Sequence, residues 1–151
     1  MKRQLAVIGV LTLAAGASLS LQGSTGVVCR ASVLPDASCT PGVADSRVTN
    51  ENVQQTICVP GYSASVRKVD PATKRAVLKL YGNPNKPYEV DHLISLELGG
   101  TNDVKNLWPE AGLIPNPKDS VENRLHRAVC NGAMSLKDAQ ALISSDWRRA
   151  K

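Results

Sequence analysis

The segment spanning residues 88–110 constrains the fold most. It contains two β-prone stretches separated by a loop with the turn pair Gly99-Gly100, which is the pattern of a strand, a loop and a second strand. Asp91 and His92 lie side by side in the first stretch, where a buried strand would not select polar residues. Because neighbours on a strand point to opposite faces, both can serve one site only where the strand ends or twists. The pattern therefore predicts a β-hairpin with a functional site at the end of its first strand.

Residues 1–17 are typical of an export signal. The run begins with the charged tripeptide Met-Lys-Arg, continues with an apolar stretch and ends with the small residues Ala-Gly-Ala at 15–17. The apolar stretch is shorter than the roughly 20 residues that a membrane-spanning helix needs. We therefore expect a protein that is secreted to the periplasm or the extracellular space, with no membrane anchor after cleavage.

Four cysteines follow this signal: Cys29, Cys39, Cys58 and Cys130. Their number is even and none belongs to a Cys-x-x-Cys pair that would indicate zinc, so an exported chain of this kind is predicted to form two disulfides. Four cysteines allow three connectivities, and the sequence leaves all three open. We favour Cys58 with Cys130, which would tie the middle of the chain to its last helices, and Cys29 with Cys39, which would close a short loop.

The length of 151 residues indicates one domain with one modest core. Residues 18–48 are rich in Ser, Gly and Pro and show no sustained period, so we expect an irregular N-terminal arm held by its cysteines. The folded domain would then occupy residues 49–151.

Three longer helices are predicted, two of them by their start signals. Asp70-Pro71 combines an acidic N-cap with proline at the first helical position, and this helix should end near Gly82. A second helix should run over 117–130, and a capping box at 135–138 should open a third. A short helix over 51–56 and two β-prone runs over 57–59 and 62–66 precede them. The combination predicts an α+β fold.

The order of residues in the hairpin resembles the HNH, or ββα-metal, endonuclease family. The core of that family is an Asp-His or His-His pair, an apolar stretch, a Gly-Gly turn and an Asn-Leu pair on the second strand. This chain carries the features in the same order: Asp91-His92, Leu93-Ile94, Gly99-Gly100 and Asn106-Leu107. A wider likeness, over residues 34–147, is to small exported bacterial proteins with an Asn-Leu-Trp-Pro-Glu run and a Lys-Asp-x-x-Glu-Asn-x-Leu-His helix.

The resemblance implies a ββα core of hairpin plus helix, with flanking helices, acting as a monomer on phosphodiester bonds of DNA or RNA with little sequence specificity. His92 would be the general base, since imidazole has a reference pKa near 6.5. Asp91 would be a ligand of a divalent ion, Mg²⁺ before Mn²⁺ or Zn²⁺, that takes up charge on the phosphate. Asn106 would orient the imidazole, through its side chain or its backbone carbonyl.

The ligand from the helix stays open, because the chain between Asn106 and the helix is longer than the short turn common in the family. At 100° per residue, one polar stripe of the helix contains Asp119, Glu122, Asn123 and His126. Asn is a frequent third partner in the family, so the resemblance ranks Asn123 first, His126 second and Asp119 third.

Other roles explain several of these residues. Asp119 and Glu122 would stabilise the helix dipole without a metal, and a hydrogen-bonded structural role would explain His126 equally well. The formal net charge of +5, of which Lys2 and Arg3 contribute two, is compatible with nucleic acid but does not require it. The main alternative is a non-catalytic exported module that keeps the ββα scaffold and binds a partner protein or the cell surface. A metal hydrolase acting on another phosphoester or on cell-wall material is a further alternative.

Overall fold

The computed structural model describes residues 28–30, 32–85, 87–112 and 114–150. The predicted export signal and the first part of the N-terminal arm lie outside these residues. The described elements are α1 (Tyr62–Val66), α2 (Pro71–Leu80), β1 (Tyr88–His92), β2 (Leu107–Ala111), α3 (Pro117–Cys130) and α4 (Leu136–Asp146). Helices thus combine with one small sheet, which confirms the α+β prediction.

The sheet is an antiparallel pair in which Asp91 lies opposite Trp108. The two strands are joined by the loop 93–106, which explains the Gly-Gly turn of the sequence. Gly99 adopts a φ of +72°, a conformation that residues with a Cβ rarely take. A Cβ on Gly100 would lie 1.8 Å from the carbonyl oxygen of Ile94, so only glycine fits there. The loop therefore folds back tightly on the end of β1.

Side-chain caps begin the three longer helices, as predicted for α2 and α4. Asp70 Oδ1 accepts a hydrogen bond from Thr73 N at 2.7 Å before α2. At the start of α3, Asn116 N donates to a carboxylate oxygen of the third helical residue in a capping box. Ser135 Oγ accepts from Asp138 N at 3.0 Å before α4. Each cap satisfies amide groups that have no partner within the first helical turn.

The two predicted β-prone runs near Pro60-Gly61 are wrong. Residues 57–59 form turns, residues 62–66 form α1, and the helix expected over 51–56 is only a 3₁₀ turn at Val53–Gln55. Tyr62 and Val66 lie four residues apart, so a helix places them on one face, and Tyr62 packs against the larger apolar cluster described below. Tertiary packing decides the secondary structure of so short a segment. Its β-branched and aromatic composition therefore predicts a strand where a helix forms.

Two apolar clusters form the interior. The larger one joins α3, α4 and the loop 93–106, and its buried members include Ile57, Ile94, Leu98, Val121, Leu125, Val129, Leu136, Ile143 and Trp147. The smaller one lies between α2 and the hairpin and comprises Cys29, Val77, Tyr81, Leu93, Leu107 and Trp108. Leu93 and Ile94 follow His92 directly and enter different clusters, so the end of β1 is held on both sides.

Two disulfides connect Cys29 with Cys39 and Cys58 with Cys130, which confirms the favoured pairing. The described part of the N-terminal arm contains no helix or strand of its own, apart from a single β-bridge between Ala44 and Gly100. Disulfides of this kind indicate an oxidising, extracellular or periplasmic environment.

None of the helices that the structure describes has the length and apolar character to cross a membrane.

Candidate functional site at the end of the first strand

The side chains of Asp91 and His92, at the end of β1, point to opposite faces of the strand. Asp91 Oδ2 accepts a hydrogen bond from Lys118 Nζ of α3 at 2.7 Å. His92 Nε2 lies 3.1 Å from Asn102 Oδ1 in the loop 93–106. The alternation of a strand therefore persists to its last residue. The two sides meet at the backbone, where Lys118 Nζ also donates to His92 O at 2.7 Å.

Asn102 fixes the protonation of the His92 ring. Its Nδ2 donates to Val66 O at 2.8 Å and its Oδ1 accepts from Lys68 N at 3.2 Å, so the atom that faces the ring is the amide oxygen. His92 Nε2 must then carry the proton, which leaves Nδ1 as the acceptor of a neutral ring. Burial lowers the pKa of His92 below its usual 6.5, although the bond to Asn102 acts in the opposite direction. His92 as a whole residue is 2% exposed.

Asn106 is buried behind the end of β1. Its Oδ1 accepts from Ile94 N at 3.0 Å and from Val43 N at 3.2 Å, while its Nδ2 donates to Thr101 O at 2.8 Å and to Ile94 O at 3.0 Å. These four bonds commit the buried side chain to backbone of the loop and the arm. The structure therefore places Asn106 where it can position the segment after His92. Its side-chain hydrogen bonds all go to backbone groups, and its backbone carbonyl accepts from Leu93 N at 2.8 Å, so neither bonds to the imidazole.

Lys118 is the most deeply buried charge among the described residues. Its side chain is fully buried, and besides Asp91 and His92 O it donates to Glu122 Oε1 one helical turn later. Burial alone would lower the pKa of Lys118, but the carboxylates of Asp91 and Glu122 outweigh burial and raise the pKa above its usual value. Lys118 is therefore a charged ammonium between one carboxylate of the hairpin and one of α3.

Further carboxyl groups share the face of the hairpin that carries Asp91. Glu89 lies two residues before Asp91 and directly opposite Glu110, so the three side chains point to one face. Glu89 Oε2 accepts from Asn116 Nδ2 at 3.0 Å. Glu110 is 4% exposed, and its Oε2 has no hydrogen-bond partner among the described residues. Burial, followed by the charge of Asp91, raises the pKa of Glu110 to about 8.

The structure does not bring the first-ranked helix ligand, Asn123, to Asp91. Asn123 is exposed, and its Nδ2 donates to Asp119 O at 2.7 Å within α3. Asp119 serves the capping box instead, with Oδ2 accepting from Asn116 N at 2.8 Å. The helix face that meets Asp91 is the one formed by Lys118 and Glu122, which are four residues apart.

His126, the second-ranked ligand, lies about 12 Å further along the axis of α3 than Lys118, since eight residues separate them. Its Nε2 donates to Ile57 O at 2.9 Å. Ligand atoms of His126, Cys58 and Cys130 lie within 4.8 Å of one another, so this group could hold a metal ion. Because the two sulfurs are bonded to each other, such binding requires reduction of the disulfide to thiolates.

A cleft of about 550 Å³ borders Asn102. Its walls include Arg47, Tyr62, Val66, Lys68 and Thr101. Arg47 is paired with Asp45 in an exposed ion pair with 2.6 Å between Nη2 and Oδ2. Asp45 lines the cleft as well, so its charged lining residues leave one net positive charge, that of Lys68, beside the residue that holds the His92 ring.

Sequence reasoning missed the roles of Asn102, Lys118 and Glu110. The spacing of Lys118 and Glu122 was a usable signal, since an i,i+4 pair of opposite charge is typical of a helix. Alternation from Asp91 along a paired strand could also have placed Glu110 on the same face once the register was known. Asn102 carried no signal, because its contact depends on how the loop folds back.

The raised pKa of Glu110 predicts a particular dependence of stability on pH. Between its usual value near 4.5 and about 8, the unfolded state loses the proton that the folded state keeps, so the free energy of unfolding should fall as pH rises. We expect the part due to Glu110 to be clearest from about pH 7 to about pH 8.5, because burial raises the pKa of Glu122 only to about 7 and His92 is mostly neutral in both states there. Glu110→Gln should flatten it in chemical denaturation, whereas the exposed Glu51→Gln should leave it in place. An unchanged slope in Glu110→Gln would contradict the assignment.

Comparison with protein families, with curated proteins and with solved structures gave no match for this chain. Its function must therefore be inferred from the arrangement of its own residues.

Proposed function

We propose that this chain is an exported, metal-dependent endonuclease of the HNH type that hydrolyses phosphodiester bonds of DNA or RNA. The observation that carries the proposal is the state of His92. Because Asn102 Oδ1 accepts a hydrogen bond from Nε2–H of His92, the unprotonated Nδ1 of the neutral ring is available to accept a proton from water. This is the requirement for a general base. Asp91 precedes it at the end of β1 with a carboxylate that is 14% exposed.

The order of elements supports the same proposal. An antiparallel hairpin is followed by α3, and the start of α3 contacts the hairpin through its N-cap residue Asn116 and through Lys118. This is the order expected for a ββα core. Base catalysis also requires water to reach Nδ1, so the proposal requires the buried His92 ring to become exposed during turnover.

The donor groups near Asp91 fit a hard divalent cation. Carboxylate oxygens of Asp91, Glu110 and Glu122 are ligands that Mg²⁺ and Mn²⁺ prefer, and they outnumber the single cationic group among them. When bound, such an ion would supply charge stabilisation at the scissile phosphate and the leaving oxygen. The residues of the chain would hold it, accept the proton of water at His92 Nδ1 and keep the ring oriented through Asn102.

One observation favours the non-catalytic alternative. The Lys118 ammonium already forms ion pairs with Asp91 and Glu122, and His92 is almost completely buried. A ββα scaffold with a lysine in place of the ion could serve as a binding module for a partner protein or the cell surface. Activity measurements separate the two possibilities directly.

The experiment is incubation of the oxidised protein with supercoiled plasmid, and separately with RNA, in the presence of Mg²⁺ or Mn²⁺. We expect nicking that EDTA abolishes and that His92→Ala reduces by about 10²- to 10⁴-fold, the usual contribution of a general base. His92→Gln should lose the same activity while it keeps a side chain able to donate to Asn102.

The chain offers a matched control, since His126 is its only other histidine. Its ring is committed to Ile57 O, so His126→Ala should nick plasmid at the wild-type rate. Equal activity in His92→Ala would remove His92 as the base but keep the nuclease. Absence of nicking under every divalent ion tested would leave the binding module as the function.

A further inference from the structure

The cluster around Lys118 contains more carboxyl groups than cationic groups. Lys118 Nζ is the single cationic group inside it, and the surrounding carboxyl groups are those of Asp91, Glu110 and Glu122. Burial of unpaired carboxylates is unfavourable, so such a site either keeps protons or takes up a cation. An acidic cluster of this kind is explained structurally only if each carboxyl oxygen has a partner.

Glu110 has a carboxyl oxygen without a hydrogen-bond partner among the described residues. The residue is 4% exposed, and this oxygen is Oε2. Glu89, directly opposite on the neighbouring strand, is satisfied by Asn116 Nδ2, so Glu110 is the carboxyl on this face with a buried oxygen left over. Asp91 is its diagonal neighbour across the hairpin, a separation that long side chains bridge. The free oxygen therefore belongs to the same cluster as Asp91 and Lys118.

We propose that the Lys118 ammonium holds the place of a divalent cation, and that Lys118 and the ion compete for one site formed by Asp91, Glu110 and Glu122. The inference rests on the proposed function for Asp91 as a metal ligand, and it assigns the remaining ligands to Glu110 and Glu122 in place of Asn123 or His126. Lys118 suits the exchange because its charge sits on a flexible four-carbon stem at the second position of α3. Without metal, the Lys118 ammonium would occupy the site, and binding of the ion would displace it.

Binding of Mn²⁺ tests this without nucleic acid, by calorimetry and by the electron paramagnetic resonance of the free ion. We expect Lys118→Met to bind Mn²⁺ at least about tenfold more tightly than the wild type, because a competing positive charge has been removed. Mn²⁺ should also raise the melting temperature of Lys118→Met more than that of the wild type, since the ion replaces the lost counter-charge.

Glu110→Gln provides the second variant, and it is informative in the wild-type background even if Lys118→Met folds poorly. It should weaken Mn²⁺ binding by about tenfold or more, the usual cost of losing a supporting group at a metal site. Glu89→Gln is the matched control: it removes the same charge from the same face of the hairpin, but its oxygen is already bonded to Asn116. It should change Mn²⁺ affinity by less than about threefold.

Two results would overturn the inference. Equal or weaker Mn²⁺ binding by folded Lys118→Met would show that lysine and the ion do not compete, and an unchanged affinity in Glu110→Gln would remove Glu110 as a ligand. Failure here is distinguishable from failure of the nuclease proposal. Plasmid nicking with Mn²⁺ affinity insensitive to Lys118 and Glu110 would sink only the inference, whereas the predicted binding pattern without any nicking would sink only the nuclease.

Discussion

Replacing Cys58 and Cys130 with serine should lower the free energy of unfolding by about 4 kcal/mol, which is more than any other change to the covalent framework should cost. The two cysteines are 72 residues apart, so their disulfide restricts the unfolded chain over about half its length. It also joins the segment before α1 to the last residue of α3, and thereby anchors the helix that meets Asp91.

The measurement is urea denaturation of the double variant Cys58→Ser/Cys130→Ser beside Cys29→Ser/Cys39→Ser. The second pair is only 10 residues apart, so the same loop-closure argument gives a smaller loss of about 3 kcal/mol. Serine variants are preferable to chemical reduction, because reduced Cys58 and Cys130 next to His126 could bind a metal ion and mask the loss. A larger loss from the short loop than from the long one would contradict the entropic explanation.

Much of the fold could be predicted because its signals are local. Asp70-Pro71 and Ser135 mark helix starts through hydrogen bonds made within one turn, and the Gly99-Gly100 pair is required by one left-handed backbone and one close contact with Ile94 O. The α1 segment shows where local reasoning fails. Its five residues make too few local contacts to decide between strand and helix, and packing of Tyr62 on the larger core decides instead.

Only the part of the candidate site that lies on β1 could be predicted from the sequence. Asp91 and His92 could be proposed as a functional pair from the hairpin pattern alone. Which side of α3 faces Asp91 depends on how α3 packs on the hairpin, and no periodicity encodes that packing. Lysines usually lie in solvent, so the sequence gives no reason to expect Lys118 to be buried. Its burial is explained only by the ion pairs with Asp91 and Glu122 in the folded structure.

Asn106→Leu should unfold the loop that carries the site, at a cost on the order of 4 kcal/mol. Leucine has a similar size, but it would leave four backbone groups without partners: Val43 N, Ile94 N, Ile94 O and Thr101 O. Each such group contributes about 1 kcal/mol or more when its hydrogen bond is lost in a buried setting. Thermal and urea unfolding of the variant measures the loss.

Asn123→Ala is the control for this prediction, because Asn123 is exposed on α3 and should cost less than about 0.5 kcal/mol. Asn106→Asp sharpens the test further. It keeps the acceptor for Val43 N and Ile94 N, but its second oxygen would face the carbonyl oxygens of Ile94 and Thr101, so it too should be strongly destabilised. If Asn106 acted directly on the His92 ring, both variants would lose plasmid nicking and keep their wild-type stability. The four backbone bonds lead to the opposite expectation: nicking and stability should be lost together, because Asn106 positions His92 by holding the chain that follows it.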